Sequence, residues 1–372
     1  MLSNGEVQIN FKEIVEKSYL EMGNVNIIIA GKTGVGKSTL INAIFGEDLA
    51  TVGVGRPVSQ SIQAYTSENV SGLTLFDTKG LELENEEKTK KSETILQDLK
   101  SFISSRRTVN PSEHIHICWY CILGNCNRYE QAEITFIKEL QSEGIPVIVV
   151  FTQTTKFSLY KQFCNDNFSE IPNVVKVLAV DEFNDVTGTS TKAYGLDDLV
   201  KKTVALIPES AKNVFIRAQK VDKELKRKSV NKIIAVAASA AVAAGATPIP
   251  FADAFVLAPI QIGMLAKISV MMGLNINSGF LSTLVGSAAG VLSATAAGRT
   301  LVSWLLKMFP GAGSVAGGAI SAAIAGTFTT TMGWAYYKAI DAIFTKGIKP
   351  ENVNPEDLAD IFKDNLRKGD KD

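Results

Sequence analysis

The residues whose types and spacing could do chemistry stand together in one string, Gly31-Lys32-Thr33-Gly34-Val35-Gly36-Lys37-Ser38-Thr39. The string completes G-x-x-x-x-G-K-[ST], follows the apolar run Val25 to Ala30, and precedes the helix-like Leu40-Ile41-Asn42-Ala43-Ile44. Strand, glycine loop and helix start, in that order, are what a phosphate cradle requires. Glycines at 31, 34 and 36 let the backbone aim its N–H groups at a β-phosphate, and Lys37 supplies a point charge to the β and γ oxygens. Ser38 is then placed to ligate Mg2+. The expectation is a bound nucleoside triphosphate contacted by residues 31 to 39.

Hydrolysis of such a ligand needs a second hold on the metal and a sensor for the γ-phosphate. Leu73-Thr74-Leu75-Phe76 reads as a strand, with Asp77-Thr78-Lys79-Gly80, a D-x-x-G, at its end. Asp77 is expected to reach Mg2+ through water and the Gly80 amide to contact the γ-phosphate. Between these motifs lies Gly53-Val54-Gly55-Arg56-Pro57-Val58-Ser59-Gln60-Ser61, where a switch segment should present a hydroxyl to the same ion. Ser59 is the first choice and Ser61 the alternative; Lys37 and Ser59 are the expected catalytic residues.

These residues need a framework. From 25 to about 206, apolar strands at 25–30, 62–66, 72–76, 115–122, 146–151 and 175–180 alternate with helix-length stretches, the pattern of a doubly wound α/β sheet. Residues 1–24 carry a helical apolar stripe at 11, 14, 15, 19 and 22, expected to pack on a neighbouring domain. Residues 207–232 are basic and read as one linker helix. Residues 233–348 are rich in Ala, Gly, Ser, Val, Ile and Leu, and predict an all-α hydrophobic domain. A polar tail, 349–372, restarts a short helix at Asn354-Pro355-Glu356-Asp357.

At this point the strings GKTGVGKSTLINAIFG, GRPVSQSI and LFDTKGLE, and the strand IHICWYCI followed by Arg128-Tyr129-Glu130, resemble bacterial translation-factor-class GTPases of the Era-like and septin-like type. More narrowly they resemble the subset with a hydrophobic C-terminal domain of unknown function, whose Pro-Ile-Pro-Phe-Ala-Asp-Ala element is matched by Pro248 to Ala254. The resemblance implies GTP or GDP with Mg2+ as ligands, and GTP hydrolysis as the reaction. Two departures stand out. Where [NT]-K-x-D selects guanine, this chain has Thr152-Gln153-Thr154-Thr155. Thr155 replaces the carboxylate, so base discrimination should be weaker, since charge-assisted hydrogen bonds are about twice as strong as neutral ones. The backbone around Ala179 would still offer an amide to the guanine carbonyl. After Gly80, the position that orients water in Ras-like enzymes is Leu81, which cannot hydrogen-bond, so slow turnover is expected. Lys32, Thr33, Lys79, Arg128 or a partner molecule could compensate.

Other patterns carry less. Cys118 and Cys121 lie three apart on a strand and face opposite ways, so they cannot share an ion. His114, His116 and Cys118 share a face at spacing two, consistent with a packed strand or a metal. Two histidines in the whole chain leave little room for a Ser-His-Asp hydrolase. The acidic run Glu82, Glu84, Glu86 and Glu87 reads as solvated switch-loop charge.

At 372 residues two domains are expected, and a formal charge of zero gives no general pull toward nucleic acid. No secretion signal or lipidation motif is visible, and four cysteines near apolar strands suit a reducing cytosol. Uncharged runs over 233–252, 268–298 and 308–337 exceed the roughly 20 residues a bilayer requires. They predict transmembrane helices, even in number, that attach a cytoplasmic G domain to inner-membrane lipid. The competing reading is a buried core, since Pro248 and Pro250 interrupt the first run, and Asp253 and Lys267 confine the apolar stretch that follows it. A homodimer or another protein is the expected partner. The alternatives are a pore-like membrane protein whose G domain binds nucleotide without turnover, and an NTPase of relaxed base specificity.

Overall fold

A computed structural model describes residues 9–46, 56–57, 62–66, 71–78, 86–126, 128–155, 158–167, 169–184, 188–245, 252–288 and 322–368. The chain divides into two compact units, Met22–Lys223 and Met1–Glu21 with Glu224–Asp372. The first unit is therefore set, along the sequence, inside the second.

In the first unit, β1 (Val25–Gly31), β4 (Leu73–Thr78), β5 (Ile117–Leu123), β6 (Val147–Thr152) and β7 (Val174–Lys176) are parallel. β3 (Ile62–Thr66) runs antiparallel to β4, and β2 (Arg56–Pro57) antiparallel to β3. The order is β2-β3-β4-β1-β5-β6-β7. Strands covered on both faces read as unbroken apolar runs, and β1 and β6 are buried at every residue. Trp119 is buried on β5, stacks on Phe45, and donates its indole N–H to the Thr203 hydroxyl at 3.1 Å. The mixed α/β sheet agrees with the expected class.

The stretch expected as one linker helix is two, Glu209–Ala218 and Lys223–Gly245. The break is held by buried Gln219, whose side-chain amide donates to the Asp222 carbonyl and whose oxygen accepts the Asp222 N–H, both at 2.7 Å.

The second unit is helical: Phe11–Leu20, Lys223–Gly245, Ala252–Met272, Ser278–Ala288, Ala322–Thr345 and Pro355–Lys368. Its N-terminal helix docks through Tyr19, whose hydroxyl accepts the Ile276 N–H at 2.9 Å, and through a Glu21–Lys267 ion pair at 2.5 Å. The last helix starts at Pro355 after Asn354, whose side chain accepts the Glu356 N–H at 2.7 Å. It buries Leu358, Phe362 and Leu366, with Phe362 edge-on to buried Tyr336.

The expected transmembrane helices are corrected here. Among the described residues no helix is long and apolar enough to cross a membrane. The run 268–298 is cut after Met272, where Gly273 turns with φ 94° and Asn277 accepts the Phe280 N–H at 2.8 Å to start a new helix. The run 308–337 lies partly outside the described residues; its described part belongs to Ala322–Thr345, which includes Lys338 and Asp341. Small residues there serve packing. A Cβ on Gly333 would meet Ile234 at 2.6 Å, so this glycine brings two helices together. Residues 248–251, which hold most of the Pro-Ile-Pro-Phe-Ala-Asp-Ala element, and residues 289–317 lie outside the described residues.

Candidate functional site

β1 is the strand at which the sheet changes direction, with β4 on one side and β5 on the other. In an open α/β sheet, ligands bind beyond the strands' carboxyl ends at such a point. Gly31 ends β1 with φ 137°, and a Cβ there would lie 2.3 Å from the Cys121 carbonyl oxygen. Only glycine permits that approach. The loop then reaches Gly36, left-handed at φ 92°, which begins the helix Lys37–Phe45 without a side-chain cap. The first-turn N–H groups of that helix are thus left for an anion, which the helix dipole also favours.

Thr33, Gly34, Gly36, Lys37, Ser38, Thr39, Asp77 and Gln153, all expected from the sequence, line one cleft of about 470 Å³. The Lys37 side chain is nearly buried; its ammonium donates to the Gly31 and Lys32 carbonyl oxygens at 3.1 Å each and stands 4.0 Å from Asp77 Oδ1. That carboxylate oxygen is buried with no hydrogen-bond partner. Burial pushes the Asp77 carboxyl up from its ordinary value, and the Lys37 charge pulls it back. An unsatisfied hard oxygen in the same cleft as the Ser38 side chain suits Mg2+.

Three expected residues of the loop act from outside the cleft lining. Gly31 and Lys32 hold the Lys37 ammonium through their carbonyls, and the Lys32 side chain pairs with Glu130 at 2.5 Å. Val35 is buried, and its carbonyl accepts the Thr152 hydroxyl at 2.5 Å, with the Ile122 carbonyl 3.2 Å from the same hydroxyl. Thr152 is therefore a tie between β6 and the glycine loop rather than a group facing a base.

The other end of the cleft departs further from expectation. Gln153 is the one non-glycine residue with positive φ, 49°, among the described residues. That conformation carries its amide over the loop, 3.2 Å from where a Cβ on Gly36 would stand. Thr155 donates both its backbone N–H and its hydroxyl to Asn125 Oδ1, at 3.0 and 3.1 Å. Ala179 is half-buried, one residue past the bridge between Leu178 and Tyr194, and neither it nor Thr155 lines the cleft. Ser59, Ser61, Lys79, Gly80 and Leu81 lie outside the described residues.

Sequence reasoning missed Gln63 and Thr78, which line the cleft, and Asn125, which holds Thr155. Gln63 stands opposite Asp77 in the β3–β4 register, a neighbour that no local pattern announces. Thr78 was readable as the second residue of D-x-x-G. The histidine face holds no metal cluster among the described residues: His116 Nδ1 accepts the Asn26 N–H at 2.9 Å.

Residues 26–153 match the family model described as 50S ribosome-binding GTPase, and residues 210–361 match a domain of unknown function (DUF697). The chain is similar to translocase of chloroplast 90 of Arabidopsis thaliana, 35% identical over 85 residues. That match covers 22% of this chain and 11% of the relative, so the chain spans about one-tenth of the relative's length. Among solved structures it is similar to a probable GTP-binding protein engB, at 18% identity and TM-score 0.35, covering 49% of this chain and 97% of that one. It is also similar to Era in complex with MgGDPNP and 16S ribosomal RNA, at 16% identity and TM-score 0.32, covering 57% and 67%. The chain thus carries a P-loop GTPase domain followed by a domain of the DUF697 type.

Proposed function

We propose that this chain is a switch that binds GTP with Mg2+, hydrolyses it slowly, and passes its nucleotide state to the helical unit. The observation that supports it best is the meeting of Lys37 and the unsatisfied Asp77 oxygen in a cleft floored by the glycine loop. Loop amides would hold the β-phosphate, and Lys37 would meet charge that grows on the β–γ bridge as water attacks the γ-phosphorus. Ser38 and Asp77, with Ser59 proposed as a third oxygen, would hold Mg2+, which when bound neutralises phosphate charge. Gly80 is assigned to the γ-phosphate, and Thr155 and Ala179 to the base. Among the described residues Asp77 is the one carboxylate lining the cleft, and with it assigned to the metal none of the described lining residues is left as a side-chain base. Turnover is accordingly proposed as slow, with a second copy or another protein supplying the water-orienting group. We assign the domain to the bacterial Era-like and septin-like branch on the strings quoted above, with the G domain spanning 25–206.

Calorimetry of the full chain with GTP, GDP and ATP, with and without Mg2+, tests the binding. No uptake of any purine triphosphate overturns it, and a preference for ATP moves the assignment to an NTPase. Phosphate release from wild type and Lys37→Ala tests the enzyme: turnover absent from both favours nucleotide binding without catalysis. RNA contact, for which the zero net charge offers no general attraction, is checked by filter binding.

A second reading concerns the membrane. Along the helix Lys223–Gly245, exposed Arg227, Lys228 and Lys232 precede exposed Val236 and Val242, 68% and 41% accessible. Basic residues beside exposed apolar ones support attachment to an anionic inner-membrane surface, lying on it rather than crossing it. Sedimentation with phosphatidylserine vesicles tests it; loss of binding in Val236→Asp is expected, and equal recovery with neutral vesicles counts against it.

A further inference from the structure

The Lys32–Glu130 pair lies outside the cleft, yet it is joined to it by an unbroken chain of contacts. Glu133, 3% exposed, turns back along the helix Gln131–Ser142 and accepts the Glu130 backbone N–H at 2.9 Å. Glu130 in turn holds the Lys32 ammonium at 2.5 Å, both side chains being about one-quarter exposed. The Lys32 carbonyl then receives the Lys37 ammonium at 3.1 Å, beside the Gly31 carbonyl at the same distance. The first residue after the β1 glycine is therefore fixed at its side chain by a neighbouring helix and fixes, through its backbone, the cation that would meet the phosphates.

We propose that Lys32 and Glu130 are positioning residues for the phosphate site: a strap that anchors the entry of the glycine loop to the start of the helix Gln131–Ser142, and so sets the perch of Lys37. This rests on the proposed triphosphate reading and adds to it a control point outside the loop motif. Lys32 touches no ligand in this account; its ammonium serves Glu130, and only its carbonyl bears on Lys37. An isolated lysine in that place would be free to swing to the phosphates, whereas the short pair, sheltered on both sides, keeps it on the helix.

The experiment is a double-mutant cycle on the full chain, reading affinity for a non-hydrolysable GTP analogue with Mg2+, with the thermal midpoint of each variant measured alongside. Lys32→Met and Glu130→Gln are each expected to weaken binding about fivefold, the double variant to be no weaker than either by more than about twofold, and Lys32→Glu with Glu130→Lys to recover to within about twofold of wild type. If Lys32→Met does not fold, Glu130→Gln carries the test alone. Unchanged affinity in Glu130→Gln, additive losses, or an unrescued swap with a normal thermal midpoint overturns the strap. Wild type that binds no analogue instead overturns the nucleotide reading itself, so the two failures are told apart by the first titration.

Discussion

At one end of the cleft, residues adjacent in sequence turn backbone amides and one lysine toward the space where phosphates would lie. At the other, Gln153 reaches over the loop from a left-handed backbone, and Thr155 is turned onto Asn125. The phosphate end depends on backbone shape and a single charge, and almost any purine triphosphate satisfies it. On the proposed reading the base end depends on side-chain chemistry, and its described members Gln153 and Thr155 are neutral. On that reading a grip would stay strong while its selectivity relaxed, because the residues proposed for the two ends come from different strands, β1 and β6.

Lys37→Ala should break the stronger end outright, lowering triphosphate affinity roughly a hundredfold by calorimetry while the thermal midpoint stays near wild type. Gly31→Ala attacks the same end through the backbone. With φ 137° and a Cβ 2.3 Å from the Cys121 carbonyl, it should cost about 3 kcal/mol in urea unfolding, and triphosphate affinity should fall with it.

The opposite, amino end of the same strands has its own test. His116 is buried, and burial, aided by the charge of His114, lowers its pKa from 6.5 to about 4. Between those values the unfolded chain binds the proton and the folded chain does not. This contribution is therefore intact above pH 6.5 and is lost as pH falls toward 4, by about 3 kcal/mol in all. His116→Gln should flatten that part of the stability–pH curve, measured by urea midpoints at pH 7 and 5, and should affect GTP and ATP binding alike. Thr155→Asp sharpens the comparison most finely. A carboxylate at the neutral end should raise the preference for GTP over ATP about tenfold in competition binding; an unchanged ratio would mean that the base is read elsewhere.

How much of this was legible in the sequence follows the same division. The glycine loop, Asp77 and the alternation of strands and helices in an α/β unit could be read because each is a local pattern with a local cause. Gln63, Asn125 and the pairing of Glu130 with Lys32 could not, since sheet register and the turn after β5 bring these residues to the site across large separations. The expected single linker helix failed at Gln219, whose helix-ending role comes from burial and two side-chain bonds, not from a glycine or proline. The transmembrane expectation failed for a related reason. Apolar length was read without the turn at Gly273, and alanine and glycine that bring helices together were counted as though they faced lipid.

The helix Phe11–Leu20 has a consequence for how the chain is made. Its partners, the helices Ala252–Met272 and Ser278–Ala288, are translated more than two hundred residues later. At ordinary rates of synthesis, about 5–20 residues per second, the ribosome takes about 10–50 s to reach them. Meanwhile the contiguous sheet unit can close. Val15 and its neighbours must wait uncovered through that interval, so a helix made before the sheet unit is among the last to find its place, and a chaperone that shields it would be needed early rather than at release.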